Sequence, residues 1–292
     1  MTQARTYARL CILFFLVYAP AAAEVEEFYR LQHLLGLAGK PPEIAMPKDH
    51  IYFKNDIAYC TGESGLAVAN NRAAEMMESG NYEGATRLLN AALKNAALFF
   101  PFRYNLGTCY FHLNRLNRSL LHFRKALAVV PEYAGTYLRI GAIHQLRYRD
   151  NEAIESYRQA LRVNRNELNT YVLIGDLFFE RDQVQLAKKY YDTCLRIDHR
   201  FNNALLGRSK IHFKEGEYYK AMVSLKMVDT RKEFDVAYHY YYAESAFKLR
   251  DYAAASKNYE ILLRHRANKF FLTHSVSLIE RKLYLSNRFV DK

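Results

Sequence analysis

Residues 104–110 read YNLGTCY, residues 138–144 read LRIGAIH and residues 172–178 read VLIGDLF. In each stretch a glycine follows an apolar residue, and the three glycines, Gly107, Gly141 and Gly175, recur every 34 positions. A fixed period of this length is typical of stacked structural repeats. The sequence therefore predicts a repeat protein in which one position of each repeat needs a small residue.

The same period holds in two further columns when repeats are counted from Leu66. The twentieth position of each repeat is small: Ala85, Ser119, Ala153, Ala187, Ala221 and Ala255. The twenty-fourth position is large and apolar: Leu89, Phe123, Tyr157, Tyr191, Leu225 and Tyr259. Small residues allow helices to approach closely, and large ones fill the remaining space. The array is predicted to consist of six repeats without insertion, over 66–99, 100–133, 134–167, 168–201, 202–235 and 236–269.

The second repeat resembles the tetratricopeptide repeat family, whose pattern is W-x2-L-G-x2-Y, then A-x3-F and then P, in a helix-turn-helix. Arg103 replaces the Trp and Ser119 replaces the Ala, whereas the pattern is matched by Leu106, Gly107, Tyr110, Phe123 and Pro131. The resemblance implies an all-α fold, a right-handed superhelical solenoid of helix-turn-helix repeats over residues 66–269.

The fifth repeat departs furthest from this pattern, because Arg208 and Ser209 stand where Leu-Gly is expected. Its second half nevertheless reads EGEYYKAM, and the first repeat contains the comparable SGNYEGA. Glycine is a common residue in tight turns. We expect Gly216 and Gly80 to mark the turns between the two helices of their repeats.

The first residues are typical of a secretory signal peptide. Arg5 and Arg9 accompany an apolar run over 10–19, and Ala21 and Ala23 fit an A-x-A cleavage site. An uncleaved membrane anchor is the alternative, but residues 10–23 supply only 14 positions against the roughly 20 needed to cross a bilayer. We expect 1–23 to be removed, the mature chain to begin at Glu24, and the protein to reach the periplasm or cell envelope.

The segments on either side of the repeats have their own patterns. Phe28, Leu31, Leu34 and Leu35 have helical spacing and predict an amphipathic helix over 24–39. Prolines at 41, 42 and 47 predict an extended connector over 40–65. Apolar residues between 270 and 288 predict a capping helix within 270–292, which would cover the last apolar face of the array.

The cysteine content and the net charge indicate which thiol states and which binding partners to expect after export. Export would leave Cys60, Cys109 and Cys194, an odd number, so at least one thiol has no partner within the chain. Cys109 and Cys194 lie in different repeats, and we expect both to pack as small apolar residues. The net charge is +12. For an exported protein this charge favours contact with anionic lipid or acidic envelope polymers over contact with nucleic acid.

The family resemblance also implies a concave groove lined by the first helix of each repeat, at its second, fifth, ninth and twelfth positions. The apolar candidates are Tyr104, Phe111, Leu138, Val172, Phe179, Leu206, Phe213, Tyr240 and Phe247. The polar candidates are Thr108, Asp176, Lys210 and Glu244, with Arg139 at a sixth position. We expect these residues to bind extended or helical segments of a partner protein. The alternative is that the apolar members pack in the core.

Catalytic and metal-binding patterns are missing from the sequence, which contains no P-loop, G-x-S-x-G, H-E-x-x-H or C-x-x-C. His144, His212 and His239 occupy columns that aromatic residues fill in the family, and packing explains them. We therefore expect no cofactor, no metal and no catalysis. The favoured interpretation is a noncatalytic adaptor or scaffold of the bacterial cell envelope. The alternative is a carrier that binds a lipid, a glycan or an acidic polymer through the aromatic groove and the basic surface.

Overall fold

The computed structural model describes residues 27–29, 51–229, 236–265 and 274–290. These residues belong to two compact parts, one within 21–164 and the other within 165–292. We call them the N-terminal half and the C-terminal half, and we describe each by itself.

The N-terminal half combines a small sheet with helix-turn-helix repeats. Its strands are β1 (Glu27–Tyr29), β2 (Ile51–Lys54) and β3 (Ile57–Cys60). The sheet is antiparallel, in the order β1-β2-β3. The helices are α1 (Gly65–Glu78), α2 (Tyr82–Leu93), α3 (Phe100–His112), α4 (Leu116–Val129), α5 (Ala134–Leu146) and α6 (Asp150–Val163).

Helices make up all the regular structure described in the C-terminal half. They are α7 (Leu168–Glu180), α8 (Val184–Ile197), α9 (Asn202–Lys214), α10 (Tyr218–Lys226), α11 (Val236–Lys248), α12 (Tyr252–Arg264) and α13 (Val276–Val290). In both halves an odd-numbered helix packs against the even-numbered helix that follows it, from α1 and α2 to α11 and α12. The predicted fold class, an all-α helical repeat solenoid, is confirmed.

The small residues of the repeats lie where paired helices touch. A β-carbon added to Gly107 would come within 2.7 Å of the Phe123 ring, and one added to Gly141 within 2.4 Å of the Tyr157 ring. The ring thus occupies the space that a side chain would need. The twentieth column is equally tight, since all six of its residues are fully buried: Ala85, Ser119, Ala153, Ala187, Ala221 and Ala255.

One residue in every repeat adopts a left-handed backbone conformation at the turn between its two helices. The φ angle is +79° at both Gly80 and Gly216, which confirms the turn predicted at these glycines. The other repeats place a residue with a side chain at the same position, 34 residues apart: Asn114 (55°), Tyr148 (58°), Asp182 (63°) and Arg250 (63°). The turn geometry is therefore a property of the repeat, and glycine only reduces its cost.

The segment before the repeats differs from its prediction. Glu27–Tyr29 forms β1, so the amphipathic helix predicted over 24–39 is wrong at these residues, and the rest of that range lies outside the described residues. Within the extended connector predicted over 40–65, residues 51–60 form a β-hairpin, which the prediction did not include. Asn55 and Asp56 form its turn with φ angles of 49° and 63°, as a tight two-residue hairpin turn requires.

The predictions for the two ends of the chain have different outcomes. Helix α13 packs on α12 through Ile279 and Leu283, close to where a capping helix is predicted. Residues 1–23 lie outside the described residues, so export stays a prediction. Among the helices that are described, none combines the length and apolar character needed to cross a bilayer.

The three described cysteines are buried, and Cys109 and Cys194 are free thiols. Burial raises the pKa of Cys109 and of Cys194 to about 12. Both side chains are fully buried in their own halves of the molecule, as small apolar residues would be.

Candidate functional site

We call the first helix of each repeat its inner helix. In the N-terminal half, inner helices hold the β-hairpin through asparagine side chains. The amide group of Asn105 accepts a hydrogen bond from the Ala58 backbone nitrogen and donates one to the Ala58 carbonyl oxygen, each 2.8 Å long. Asn70 donates to the same carbonyl oxygen at 2.7 Å. These asparagines, from α1 and α3, therefore replace the neighbouring strand that the outer edge of β3 lacks.

The pattern continues at the end of β3. Asn71 accepts a hydrogen bond from the Cys60 backbone nitrogen at 2.8 Å and donates to the Cys60 carbonyl oxygen at 2.6 Å. In an antiparallel pair, alternate residues direct their backbone N–H and C=O groups away from the partner strand, and in β3 these are residues 58 and 60. The asparagines therefore form hydrogen bonds with successive backbone groups on the edge of β3 that is not paired with β2. The inner helix face thus binds an extended main chain.

The hairpin turn is bound by charged and polar side chains. The Tyr104 hydroxyl donates a hydrogen bond of 2.5 Å to Asp56, and the Arg139 guanidinium forms an ion pair with the same carboxylate. Burial, together with Asp56, raises the pKa of Tyr104 well above its usual value. Burial alone would lower the pKa of Arg139, but Asp56 more than offsets this effect and the pKa is raised. Tyr104 and Arg139 thus act on the chain's own turn.

Aromatic packing completes the hairpin site. The Phe53 ring stacks on Tyr133 with 4.5 Å between centroids, and it meets Tyr104 edge-on at 5.1 Å. Phe100 makes a further edge contact with Phe53 at 6.4 Å. The hairpin is therefore part of the core of the N-terminal half.

These contacts correct several predicted groove residues. Tyr104 and Thr108 are buried, with 0% and 3% exposure, so neither reaches a partner in this conformation. Arg139 is engaged by Asp56. Phe111 and Leu138 are half-buried, and Phe111 packs against the core cluster that includes the hairpin.

Three predicted residues of the C-terminal half are also buried. Val172 and Leu206 lie in the interior. Glu244 accepts hydrogen bonds from Lys282 at 2.7 Å and from the Tyr259 hydroxyl at 2.8 Å, which explains how an acid is accommodated at 4% exposure. Tyr240 and Phe247 are half-buried and pack on the cluster formed by α11, α12 and α13.

The remaining predicted residues lie on a half-exposed surface of α7, α9 and α11. We define the aromatic–lysine patch as Phe179, Lys210, Phe213, Lys214 and Tyr241. The Lys214 ammonium lies 5.2 Å from the centre of the Phe179 ring, and Phe213 meets Tyr241 edge-on at 5.4 Å. The exposed fraction of the lysine side chains is 24% at Lys210 and 43% at Lys214.

Two aspartates border this patch. Asp176 accepts a hydrogen bond of 2.7 Å from the Tyr191 hydroxyl and lies 4.0 Å from the Lys210 ammonium. Asp182 forms an ion pair of 2.5 Å with Lys214. Burial raises the pKa of Tyr241, with a smaller opposing effect from Lys210. The patch therefore presents aromatic rings and lysine side chains whose charges are partly balanced.

Sequence reasoning missed the residues that bind the hairpin. Asn70, Asn71 and Asn105 gave no pattern by themselves. The hairpin did have a pattern, because Asn55-Asp56 separates IYFK from IAYC, two short runs rich in β-branched and aromatic residues.

One group of side chains in the described residues has the composition of a metal site. Single ligand atoms of His212, Glu215 and Glu217 lie within 4.8 Å of one another. Glu217 already accepts hydrogen bonds from His212 at 2.8 Å and from the Lys220 ammonium at 2.6 Å, and that bond to Lys220 lowers the pKa of Glu217. A lysine thus neutralises the carboxylate that a metal would use.

Comparison with known families is consistent with this architecture. The sequence matches the tetratricopeptide repeat family over residues 71–135 and again over residues 168–199. The two matched segments are tetratricopeptide repeats. No curated protein sequence matches the chain.

Solved tetratricopeptide repeat structures resemble the fold. PilF of Pseudomonas aeruginosa is 18% identical with a TM-score of 0.61, over 70% of this chain and 92% of that one. PilW, described as a type IV pilus biogenesis factor, is 19% identical with a TM-score of 0.58, over 75% and 99%. A tetratricopeptide repeat protein of Parabacteroides merdae is 16% identical with a TM-score of 0.57, over 76% and 98%. These likenesses show the fold of the chain, a helical repeat solenoid.

Proposed function

We propose that this protein is a noncatalytic adaptor of the bacterial cell envelope, which holds a segment of a partner protein on the aromatic–lysine patch. The observation that carries the proposal is the hairpin of the N-terminal half. There, the inner helices bind an extended main chain through Asn70, Asn71 and Asn105. They also bind the Asp56 side chain at the turn through a hydrogen bond and an ion pair.

The patch has the composition of a peptide-binding surface. Aromatic side chains contribute a large contact area and are common binding hot spots. Lysines beside the rings can donate hydrogen bonds to a carboxylate or a backbone carbonyl of the partner. Phe179 and Phe213 supply the aromatic area on α7 and α9, and both remain half-exposed.

The test replaces both rings, as Phe179→Ser with Phe213→Ser. Partner capture from the source cell followed by a binding titration should show a loss of at least about 2 kcal/mol in affinity. A matched control, Tyr219→Ser with Val223→Ser, removes apolar side chains that are 72% and 44% exposed on α10. Normal binding by the Phe179/Phe213 variant, or equal loss in the control, would contradict the proposed site.

The envelope context is part of the proposal and rests on the amino-terminal sequence. The mature protein should begin at Glu24, because Arg5, Arg9 and the apolar run over 10–19 are typical of an exported precursor. Amino-terminal sequencing of the protein from its source cell tests this. A cytosolic product that keeps Met1 would overturn the localisation and leave the patch untouched.

The second candidate function is a carrier for a lipid, a glycan or an acidic polymer. The contact between Lys214 and Phe179 favours it, since paired rings and ammonium groups also suit sugars and anionic polymers. Native mass spectrometry distinguishes the two functions. A small molecule bound to the isolated protein supports the carrier, and a stoichiometric protein partner supports the adaptor.

A further inference from the structure

The last described helix, α13, presents an outer face unlike that of a solvated helix. At 3.6 residues per turn, Leu278, Leu285 and Phe289 fall on one line along it, about 90° around the helix axis from the buried Ile279 and Ser286. Leu278 is 51% exposed and Phe289 is 45% exposed, while Leu285 is half-buried. Helix α13 therefore has a second apolar stripe besides the one that packs on α12.

Cationic and aromatic residues lie beside this stripe. Arg281 and Arg288 are both exposed and are two turns apart, which places them on a line next to Leu278 and Leu285. Tyr284, on the far side of the arginines, is 64% exposed. The acidic residue of the helix, Glu280, is exposed on the far side of Tyr284, away from Leu278 and Leu285. The outer face therefore combines apolar, aromatic and positive groups.

Outward helix faces differ in how apolar they are: α10 also exposes Tyr219 and Val223, whereas most of the outward face of α6 is polar. The exposed residues of α6 between 151 and 162 are all polar or charged: Asn151, Glu152, Glu155, Arg158 and Arg162. Such a face needs no partner, because water solvates it. The face of α13 exposes several large apolar side chains to water, which is unfavourable unless a partner covers them.

We propose that this outer face of α13 docks on the surface of an anionic lipid bilayer. The charge on this side is positive, so the partner should be negative, and a bilayer rich in acidic lipids offers negative head groups above an apolar interior. Leucine and aromatic side chains would enter the boundary layer, while Arg281 and Arg288 would extend to the phosphates. At about 22 Å long, α13 is too short to cross the membrane and is held along one side by α12.

Contacts inside the protein orient the helix for this role. The Lys282 ammonium is held by Glu244 at 2.7 Å, and Ser256 is hydrogen-bonded to Asn287, so neither end of the packed face can rotate outward. One face of the Phe289 ring stacks on Tyr252 of α12, with 4.8 Å between ring centres, so Phe289 forms the packed edge of the outer stripe and remains 45% exposed. The outer stripe is therefore presented by a fixed helix, independently of the aromatic–lysine patch.

The test is vesicle co-sedimentation of the full chain, with vesicles of phosphatidylcholine alone and with vesicles that also contain phosphatidylglycerol. We expect preferential binding to the anionic vesicles. Charge reversal by Arg281→Glu with Arg288→Glu should lower the partition coefficient on anionic vesicles at least about tenfold, because each cation near such a surface contributes appreciably. Any contribution from the apolar residues 10–19 is the same in every variant and cancels in the ratio.

Two further variants separate this proposal from its competitors. Leu278→Ser with Tyr284→Ser should lower anionic-vesicle binding at least about fivefold, since it removes apolar area without changing charge. Lys125→Glu with Lys189→Glu makes the same charge change at exposed positions of α4 and α8, and it should leave most of the binding intact. Equal losses in this control would overturn the proposal and indicate general charge attraction.

Self-association is the other outcome that would overturn the proposal. Sedimentation velocity without lipid would then show a concentration-dependent dimer that Leu278→Ser with Tyr284→Ser abolishes. A monomer that binds neither kind of vesicle would overturn it as well. None of these results bears on the aromatic–lysine patch, whose test is partner capture by the Phe179 and Phe213 variant.

Discussion

The two halves of the molecule use the same helix face in opposite ways. In the N-terminal half this face holds the chain's own hairpin, and Tyr104, Thr108 and Arg139 are buried or engaged. Phe111, at the twelfth repeat position, packs against the cluster that includes the hairpin. In the C-terminal half Phe179 and Phe213 occupy the same twelfth position and are half-exposed, and Lys214 lies over the Phe179 ring. The inner helices are therefore covered by the chain's own hairpin in one half and keep aromatic side chains partly exposed in the other.

The difference depends on a few residues of the inner helices. Three asparagines satisfy the strand edge: Asn71 and Asn105 at the sixth position of their repeats, and Asn70 at the fifth. The sixth position of the later repeats carries Leu173, Gly207 and Tyr241 instead. Backbone groups of an edge strand are costly to bury without partners. The asparagines therefore specify where the hairpin binds, and the C-terminal half has no equivalent set among its described residues.

The largest expected effect comes from comparing one phenylalanine in each half. Phe53→Ala should cost about 3 to 5 kcal/mol, because it removes a ring that is 8% exposed and stacked on Tyr133. Phe213→Ala should cost less than about 1 kcal/mol if that ring serves a partner. Urea unfolding monitored by hydrogen exchange in each half measures both changes. Similar losses for the two variants would show that Phe213 is a core residue.

A smaller effect should be shared by the two halves. Ala153 and Ala187 occupy the same repeat column and are fully buried, so replacing either by Leu should overpack its repeat and cost about 1 to 3 kcal/mol. Glu155→Leu and Lys189→Leu, at exposed positions two residues further on, are the controls and should be nearly neutral. Thermal melts measure the four variants. A control with a lower melting temperature than the alanine variant of the same repeat would contradict the shared repeat register.

The sequence allowed the repeat architecture to be predicted because its signals are local and periodic. Gly107, Gly141 and the alanines of the twentieth column each pack against a neighbour one helix away, and the period makes them visible. The hairpin binding depends instead on contacts such as Asn105 with Ala58, 47 residues apart, which no periodic pattern records. Whether a groove candidate such as Phe111 or Phe179 is covered also depends on the segment that packs on its face, and a repeat column does not record that.

Acid should weaken the N-terminal half. Burial, with a smaller effect from Arg103, lowers the pKa of His122 to about 4, so the folded state keeps this side chain neutral where the unfolded chain takes up a proton. The stabilisation is complete above the unfolded pKa of about 6.5 and is lost as pH falls towards 4. We expect a loss of about 1 to 2 kcal/mol, since solvent reaches part of the ring.

His122→Gln is the variant that isolates this effect, because it keeps a polar side chain that does not titrate. Urea unfolding of the N-terminal half between pH 7 and pH 4 should show a shallower decline in the variant than in the parent chain. Burial also lowers the pKa of His112 and His144, so some dependence will remain. Parallel curves for the variant and the parent would rule out His122 as the cause.

The smallest expected effect tests whether the turns are equivalent in both halves. Gly80 and Gly216 share one repeat position, and both have a φ of +79°. A β-carbon at either glycine would have no neighbour within 4 Å, so substitution by alanine acts through the backbone alone. Left-handed conformations cost an alanine roughly 1 kcal/mol relative to glycine. Both variants should therefore lose about 1 kcal/mol in chemical unfolding, one in each half. A clearly larger loss at one glycine would show that its turn depends on more than the repeat itself, and that the two halves differ in their turns as well as in what covers their inner helices.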